Sequence, residues 1–238
     1  MKPTADERLI VALDVPTAAE AARWARRLSQ AVKHFKIGLE LFTGAGPAAF
    51  KSIPGGVFLD LKFFDIPNTM AGALNAAAAL KPFLVNVHAL AGPAALEQCA
   101  RAVKAQKPRP KLLAVTILTS FTGTELKKIG VNIPMEKMVS RLCGIALEAG
   151  CDGVVASPLE APRLRKEYGK NFLIVTPGVR PAWSAKNDQQ RVTTPADAIK
   201  NGADYIVVGR PILSAPKPLE AARMVIEEIR LAGGGKKR

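Results

Sequence analysis

Three charged residues stand at the end of one apolar run, in Val57-Phe58-Leu59-Asp60-Leu61-Lys62-Phe63-Phe64-Asp65-Ile66-Pro67-Asn68-Thr69. Side chains alternate faces along a strand, so Asp60 and Lys62 are expected to point the same way. Asp65 falls past the strand, where Pro67, Asn68 and Thr69 suit the first turn of a helix. Charge on a buried strand is costly unless it is paired. One Asp–Lys pair is equally well explained as a structural ion pair. Three charges alternating at a strand-to-helix junction fall where parallel α/β folds keep their active sites.

Other polar residues fall at matching places. Asp14 ends the first apolar run, and Leu118-Thr119-Ser120 ends the fifth. Lys36 is an isolated charge in Phe35-Lys36-Ile37-Gly38. Such a lysine either snorkels to solvent or points inward and pairs with carboxylates on neighbouring strands; the acids at adjacent strand ends favour the inward reading. Two later stretches suit an anion. Val208-Gly209-Arg210-Pro211 combines close backbone approach at Gly209 with the bidentate fork of Arg210, and barrels often bind phosphate after strands seven and eight. Thr176-Pro177-Gly178-Val179-Arg180-Pro181 leads into a polar run ending Asp188-Gln189-Gln190-Arg191. Roughly 20 residues separate strand seven from the next helix, a length typical of a lid. The alternative is a surface loop, which the apolar anchors Val179 and Trp183 argue against.

The elements that must position these residues alternate. Strands are expected at Leu9–Asp14, His34–Leu39, Val57–Lys62, Phe83–His88, Leu112–Leu118, Gly153–Ala156, Phe172–Thr176 and Tyr205–Val208. Helices are expected near Ala18–Ala31, Pro47–Lys51, Pro67–Leu80, Pro93–Ala105, Glu136–Ala149, Ala161–Tyr168 and Leu219–Leu231. Strands of near-continuous hydrophobicity imply a parallel sheet buried on both faces. Eight βα units in 238 residues match a (β/α)8 TIM barrel. A doubly wound open sheet would usually place a Gly-rich turn after strand one; here that turn is Asp14-Val15-Pro16-Thr17. With no linker or low-complexity tract, the chain reads as one α/β domain over residues 1–238, with a short basic flexible tail at about 233–238.

Composition narrows the function. No apolar run reaches the roughly 18 residues of a membrane-spanning helix, and the N-terminus lacks a signal-peptide apolar region. The expectation is a cytoplasmic protein without a membrane partner. Cys99, Cys143 and Cys151 have no zinc or redox spacing and read as buried apolar thiols. Two histidines, His34 and His88, cannot build a three-histidine metal site, and His88 reads as a hydrogen-bonded structural residue. The net charge of +14 permits contact with nucleic acid. Without a recognition motif or interleaved aromatics, a basic surface that attracts anionic substrates is the simpler account.

Taken together, these motifs resemble the orotidine 5′-phosphate decarboxylase family, of bacterial type. The resemblance rests on Asp60-Leu61-Lys62-Phe63-Phe64-Asp65-Ile66-Pro67-Asn68-Thr69. Leu13-Asp14-Val15-Pro16, Phe35-Lys36-Ile37-Gly38, Leu118-Thr119-Ser120, Thr176-Pro177-Gly178-Val179-Arg180, Asp188-Gln189 and Val207-Val208-Gly209-Arg210-Pro211 extend it over almost the whole chain. Phe64 departs from the His common in bacterial members, which bears on packing rather than chemistry. The resemblance implies decarboxylation of orotidine 5′-monophosphate (OMP) to UMP in pyrimidine synthesis, with no cofactor or metal. It implies a catalytic network of Lys36, Asp60, Lys62 and Asp65, in which Lys62, kept charged by the flanking Asp60 and Asp65, stabilises the C6 carbanion and protonates it, with Asp65 reaching the partner's site in a homodimer. Asp14, Lys36 and Thr69 would address the ribose and Thr119 the pyrimidine. Arg180, Gln189, Gly209 and Arg210 would hold the phosphate or close over it. The nearest alternative is a magnesium-dependent sugar-phosphate decarboxylase or aldolase of the same barrel superfamily, with Glu40 as a candidate ligand. A basic nucleic-acid-binding protein is the alternative from another class.

Overall fold

The computed structural model describes residues 3–51, 53–184 and 193–233. Eight parallel strands form a closed barrel in chain order: β1 (Leu9–Ala12), β2 (His34–Gly38), β3 (Gly56–Phe63), β4 (Leu84–His88), β5 (Lys111–Val115), β6 (Gly153–Val155), β7 (Leu173–Thr176) and β8 (Tyr205–Val208). Pairing of Ile10 with Val207 closes the ring between β1 and β8. The helices are α1 (Ala18–Leu28), α2 (Leu39–Ala45), α3 (Pro67–Ala78), α4 (Pro93–Lys104), α5 (Gly123–Lys128), α6 (Met135–Glu148), α7 (Ala161–Tyr168), α8 (Pro195–Lys200), α9 (Arg210–Leu213) and α10 (Pro218–Ala232). The expected (β/α)8 barrel is the observed fold.

The strand period divides the core in two. Ile10, Ala12, Phe58, Leu84, Leu113, Val115, Val155, Val175 and Val207 fill the barrel interior. The alternate residues, such as Leu9, Val11, Val57, Leu59, Val85 and Val87, pack outward against the helices. This explains why the strands read as continuous apolar runs. Lys36 and Asn86 lie on inward positions, in register with Ala12 or Phe58 and with Leu113.

Several boundaries differ from expectation for local reasons. β1 ends at Ala12, and Asp14 lies beyond it, although the Leu13 N–H still reaches the Lys36 carbonyl. β5 ends at Val115 rather than Leu118; one further rung runs from the Thr116 N–H to the Val155 carbonyl, which the Thr116 hydroxyl also reaches. α1 stops at Leu28, where Ser29 Oγ bonds back to the Arg26 carbonyl. The helical stretch expected at Pro47–Lys51 is preceded by α2; Gly46, at φ 56, separates it from a 3-10 turn over Gly46–Phe50. α5 lies in the excursion after β5 and carries a Thr122–Glu125 capping box, a signal present in Thr122-Gly123-Thr124-Glu125.

Candidate active site

The ladder between β3 and β4 shifts register within β3. Leu59 pairs with Val85, but Phe63 pairs with Val87, so Asp60, Leu61 and Lys62 together face Asn86. Lys62 adopts φ 52, a left-handed conformation costing a non-glycine residue about 1–3 kcal/mol. Strain of this kind persists only where surrounding contacts hold it. Here the Lys62 N–H donates to Asn86 Oδ1 at 2.8 Å.

The side chains of Asp60 and Lys62 nevertheless meet, at 2.7 Å between Lys62 Nζ and Asp60 Oδ1. Asn86 Nδ2 donates to the same oxygen at 2.7 Å. Lys36 points inward from β2. Its Nζ donates to Asp14 Oδ1 at 2.8 Å and lies 3.5 Å from Asp60 Oδ2. Asp14, Lys36, Asp60 and Lys62 thus form one chain of alternating charge across the barrel mouth. Gly38 leaves the space it needs, since a Cβ there would sit 2.8 Å from Lys36 Nζ and 3.0 Å from Asp14 Oδ1. Burial alone would push the Asp60 carboxyl up; Lys36, Lys62 and the hydrogen bonds from Lys62 and Asn86 outweigh it and hold Asp60 below the ordinary carboxylate range. The sheltered members are Lys36 and Asp60, with side chains 10% and 13% exposed, while Asp14 is exposed; removing one partner of that sheltered pair leaves a poorly solvated charge, at a cost of up to about 3–5 kcal/mol.

A cavity of about 210 Å³ opens above these charges. Lys36, Asp60 and Lys62 form its charged side. Phe58, Val115, Ile117, Leu118, Val155, Pro177 and Val207 form an apolar wall, with Thr119 and Ser120 at the edge. A flat, partly apolar ring could lie against this wall with one atom at the lysine. A second cavity, of about 410 Å³, lies between the loops after β7 and β8 and is lined by Arg180, Trp183, Ser184, Arg210 and Pro211. Arg180 is buried and Arg210 exposed. Val179 bridges Thr193, and the Arg180 N–H donates to the Thr193 carbonyl, so the long loop leaves and returns at one point. Gln189, with the rest of Asp188–Arg191, lies outside the described residues, as do 234–238 of the basic tail.

Two expected site residues stand apart from the network. Asp65 is exposed, and its Oδ1 accepts the N–H of the next residue, Ile66, at 2.6 Å. Among the described residues no ion pair joins Asp65 to Lys62 of the same chain. Thr69 is exposed in the first turn of α3. Around them Phe64 and Ile66 are 61% and 66% exposed. Phe64 stacks on His88 at 5.5 Å. His88 Nδ1 accepts the Leu90 N–H, and burial together with the Lys62 charge holds the imidazole below its ordinary value. Glu40 is exposed in the first turn of α2. Among the described residues, no group of three or more His, Cys, Asp or Glu side chains is gathered as a metal ion would require. Cys99, Cys143 and Cys151 are buried thiols pushed up by that burial to about 11, 12 and 12, too high to act as nucleophiles at neutral pH.

Sequence reasoning missed Asn86 and the role of Gly38 in making room. The signal for Asn86 was a lone amide in the apolar run Leu84-Val85-Asn86-Val87; a buried amide needs partners, and the partners are the two charged residues of β3.

The sequence and fold are similar to those of known proteins. Residues 7–225 match the model of the orotidine 5′-phosphate decarboxylase / HUMPS family. The chain is 52% identical over 231 residues to orotidine 5′-phosphate decarboxylase of Trichlorobacter lovleyi, covering 94% of this chain and 96% of that one. It is also 52% identical over 234 residues to the protein of that name from Geobacter sulfurreducens, covering 94% and 97%. A crystal structure of orotidine 5′-phosphate decarboxylase from Lactobacillus acidophilus superposes with a TM-score of 0.84 at 37% identity, covering 94% of this chain and 99% of that one.

Proposed function

Because this chain belongs to the orotidine 5′-phosphate decarboxylase / HUMPS family, we propose that it converts OMP to UMP in pyrimidine biosynthesis, as a carboxy-lyase that needs no cofactor. Relatives at about half identity over nearly the whole chain carry the decarboxylase name, which favours this activity over the magnesium-dependent alternative. The observation that carries it is the lysine ammonium 2.7 Å from a carboxylate only 13% exposed, beside a cavity whose remaining wall is mainly apolar.

That arrangement suits the reaction. Loss of carbon dioxide from C6 of the pyrimidine leaves an electron pair in an sp² orbital that the ring delocalises poorly. Stabilisation must come from a fixed charge, and completion from a proton. In this reading Lys62 supplies both: its ammonium faces the forming carbanion and then protonates C6. Asp60 keeps that ammonium aimed through the short ion pair between them. Two unit charges 4 Å apart in an effective dielectric near 20 attract by about 4 kcal/mol, enough to fix the ammonium against the carboxylate. Lys36 keeps Asp60 ionised and joins Asp14 and Thr69 in addressing the ribose, while Thr119 stands near the pyrimidine. Arg180, Arg210, Gly209 and Gln189 take the phosphate. Binding energy gathered there, away from C6, can hold the charged groups together.

The reading includes a homodimer in which Asp65 completes the network of the partner subunit. Its support is the position of Asp65 outside its own chain's network, among the exposed apolar side chains Phe64 and Ile66, a surface of the kind buried in interfaces. It also includes a single domain spanning the chain and a cytoplasmic location, where a biosynthetic enzyme meets its nucleotide. The test is the ultraviolet absorbance of OMP over time with protein and excess EDTA. Conversion to UMP at an undiminished rate is expected. No conversion, or conversion abolished by EDTA and restored by magnesium, would overturn the reading.

A further inference from the structure

Asn86 is wholly buried in the middle of β4, and both ends of its carboxamide are used. Nδ2 donates to Asp60 Oδ1 at 2.7 Å, and Oδ1 accepts the Lys62 N–H at 2.8 Å. The partners fix the orientation of the amide: a backbone N–H needs an acceptor and a carboxylate needs a donor. Asp60 Oδ1 also receives Lys62 Nζ. One side chain on β4 therefore closes a ring with the main chain of Lys62, its ammonium and the Asp60 carboxylate.

The register explains why a side chain is needed there. Between Leu59 and Phe63 the ladder from β3 to β4 is interrupted, and bulged residues lose their ladder partners. The Lys62 N–H would be one such orphan, at a residue already at φ 52. An apolar residue at 86 would leave that N–H unpaired and remove a donor from Asp60. Aspartate would accept the N–H but set a second carboxylate against Asp60. Of the side chains of this shape, only asparagine satisfies both neighbours.

We infer that Asn86 is a positioning residue for the decarboxylation, fixing the Lys62 main chain and the Asp60 carboxylate at once so that the ammonium is aimed at C6. The inference rests on the reading of the site given above. Asn86 touches neither reacting atom in this account; it acts through Lys62 and Asp60. The charged groups facing Asp60 are Lys36 from β2 and Lys62 from β3, with Asp14 behind Lys36 and His88 further along β4 beside Lys62.

The test compares wild-type protein with Asn86→Leu, which removes both bonds without a large cavity, and Asn86→Asp, which keeps the acceptor and loses the donor. For each, kcat and KM for OMP, the Kd for UMP, and the pH profile of kcat are measured. In both variants kcat is expected to fall by roughly 100-fold, the scale of a small misplacement of a reacting group. The Kd for UMP should stay within about threefold, since the lost interactions belong to the transition state. The acid limb of kcat should move to higher pH, because Asp60 has lost a hydrogen bond to its charged form. A kcat within about threefold of wild type would overturn the inference. So would loss of turnover in step with loss of UMP binding, with the acid limb unmoved, which would make Asn86 a structural residue. If Asn86→Leu does not fold, Asn86→Asp decides by the same criteria; if neither variant folds, Asn86 serves the fold and the inference is wrong. Wild-type protein that does not turn over OMP would instead refute the functional reading itself.

Discussion

Lys62 Nζ and Asp60 Oδ1 lie 2.7 Å apart, although the main chain between them is not regular strand. A uniform strand would bring the two side chains to one face by alternation alone. Here they meet across a bulge, with Lys62 at φ 52 and its N–H held by Asn86. The charge pair is thus set by β4 as much as by β3, and its geometry is over-determined. A lysine on a long flexible stem needs such restraint if its ammonium is to stay in one place.

Gly38→Ala tests how tightly the network is packed. Gly38 has φ −97, so alanine fits the backbone, and any effect is steric. Its Cβ would fall 2.8 Å from Lys36 Nζ and displace the ammonium from Asp14 and Asp60. We expect kcat/KM for OMP to fall by about 10-fold or more and the melting temperature to fall with it, since Lys36 is moved off its carboxylate partners. Steady-state kinetics and a thermal melt check this; unchanged kcat/KM would show that Lys36 has room to spare.

Arg180→Ala and Arg210→Ala should discriminate between nucleotide and nucleoside. A charge-assisted hydrogen bond contributes about 1.5–3 kcal/mol, so each change should weaken UMP by roughly 10- to 100-fold. Uridine binding should change little. Isothermal titration with both ligands decides, and equal losses for the two would mean that these arginines do not hold phosphate.

The barrel was legible because β1 to β8 are buried on both faces and spell themselves as apolar runs. So were the charges: Lys36, Asp60 and Lys62 are costly on strands, Asp14 follows the end of one, and the structure gathers all four. The bulge was hidden, since nothing in Asp60-Leu61-Lys62 marks a left-handed residue; it depends on the register with β4. Asn86 was overlooked for the same reason, its partners being distant in sequence. The ends of β1 and β5 were read too long, because apolar residues continue past the point where the ladder stops.

His34 gives the fold a pH dependence of definite sign. Its ring stacks on Phe83 at 4.1 Å, and its buried Nδ1 has no hydrogen-bond partner. Burial holds it below its ordinary value of 6.5, against the pull of Glu7 and Asp6. A lowered histidine contributes stability that is present above the unfolded value and is lost as pH falls below it. We expect the urea midpoint to fall between about pH 7.5 and 5.5, and His34→Leu to reduce that slope. His88, lowered in the same direction, should leave a residual slope. A slope unchanged by His34→Leu would assign the effect elsewhere.

The shared site is tested by complementation. Asp65→Asn and Lys62→Ala chains should each be nearly inactive alone. Mixed after denaturation, about half of the dimers are heterodimers, each with one site receiving both damaged residues and one receiving Lys62 and Asp65 intact, provided the isologous dimer re-forms freely. Roughly a quarter of wild-type activity should return by that statistical pairing. No recovery, with heterodimers confirmed by native mass spectrometry, would mean that Asp65 serves its own subunit.

The role of Lys62 is tested most directly by carbon dioxide release from carboxyl-labelled OMP, comparing wild-type protein with Lys62→Ala at saturating substrate. The ammonium beside Asp60 is the group assigned to both carbanion stabilisation and proton donation. Wild-type protein should release the label and form UMP in equal amounts, and Lys62→Ala should release none above background while still binding UMP. Retention of more than about a tenth of wild-type turnover by Lys62→Ala would contradict the assignment, because loss of a group acting only in the transition state must appear in kcat.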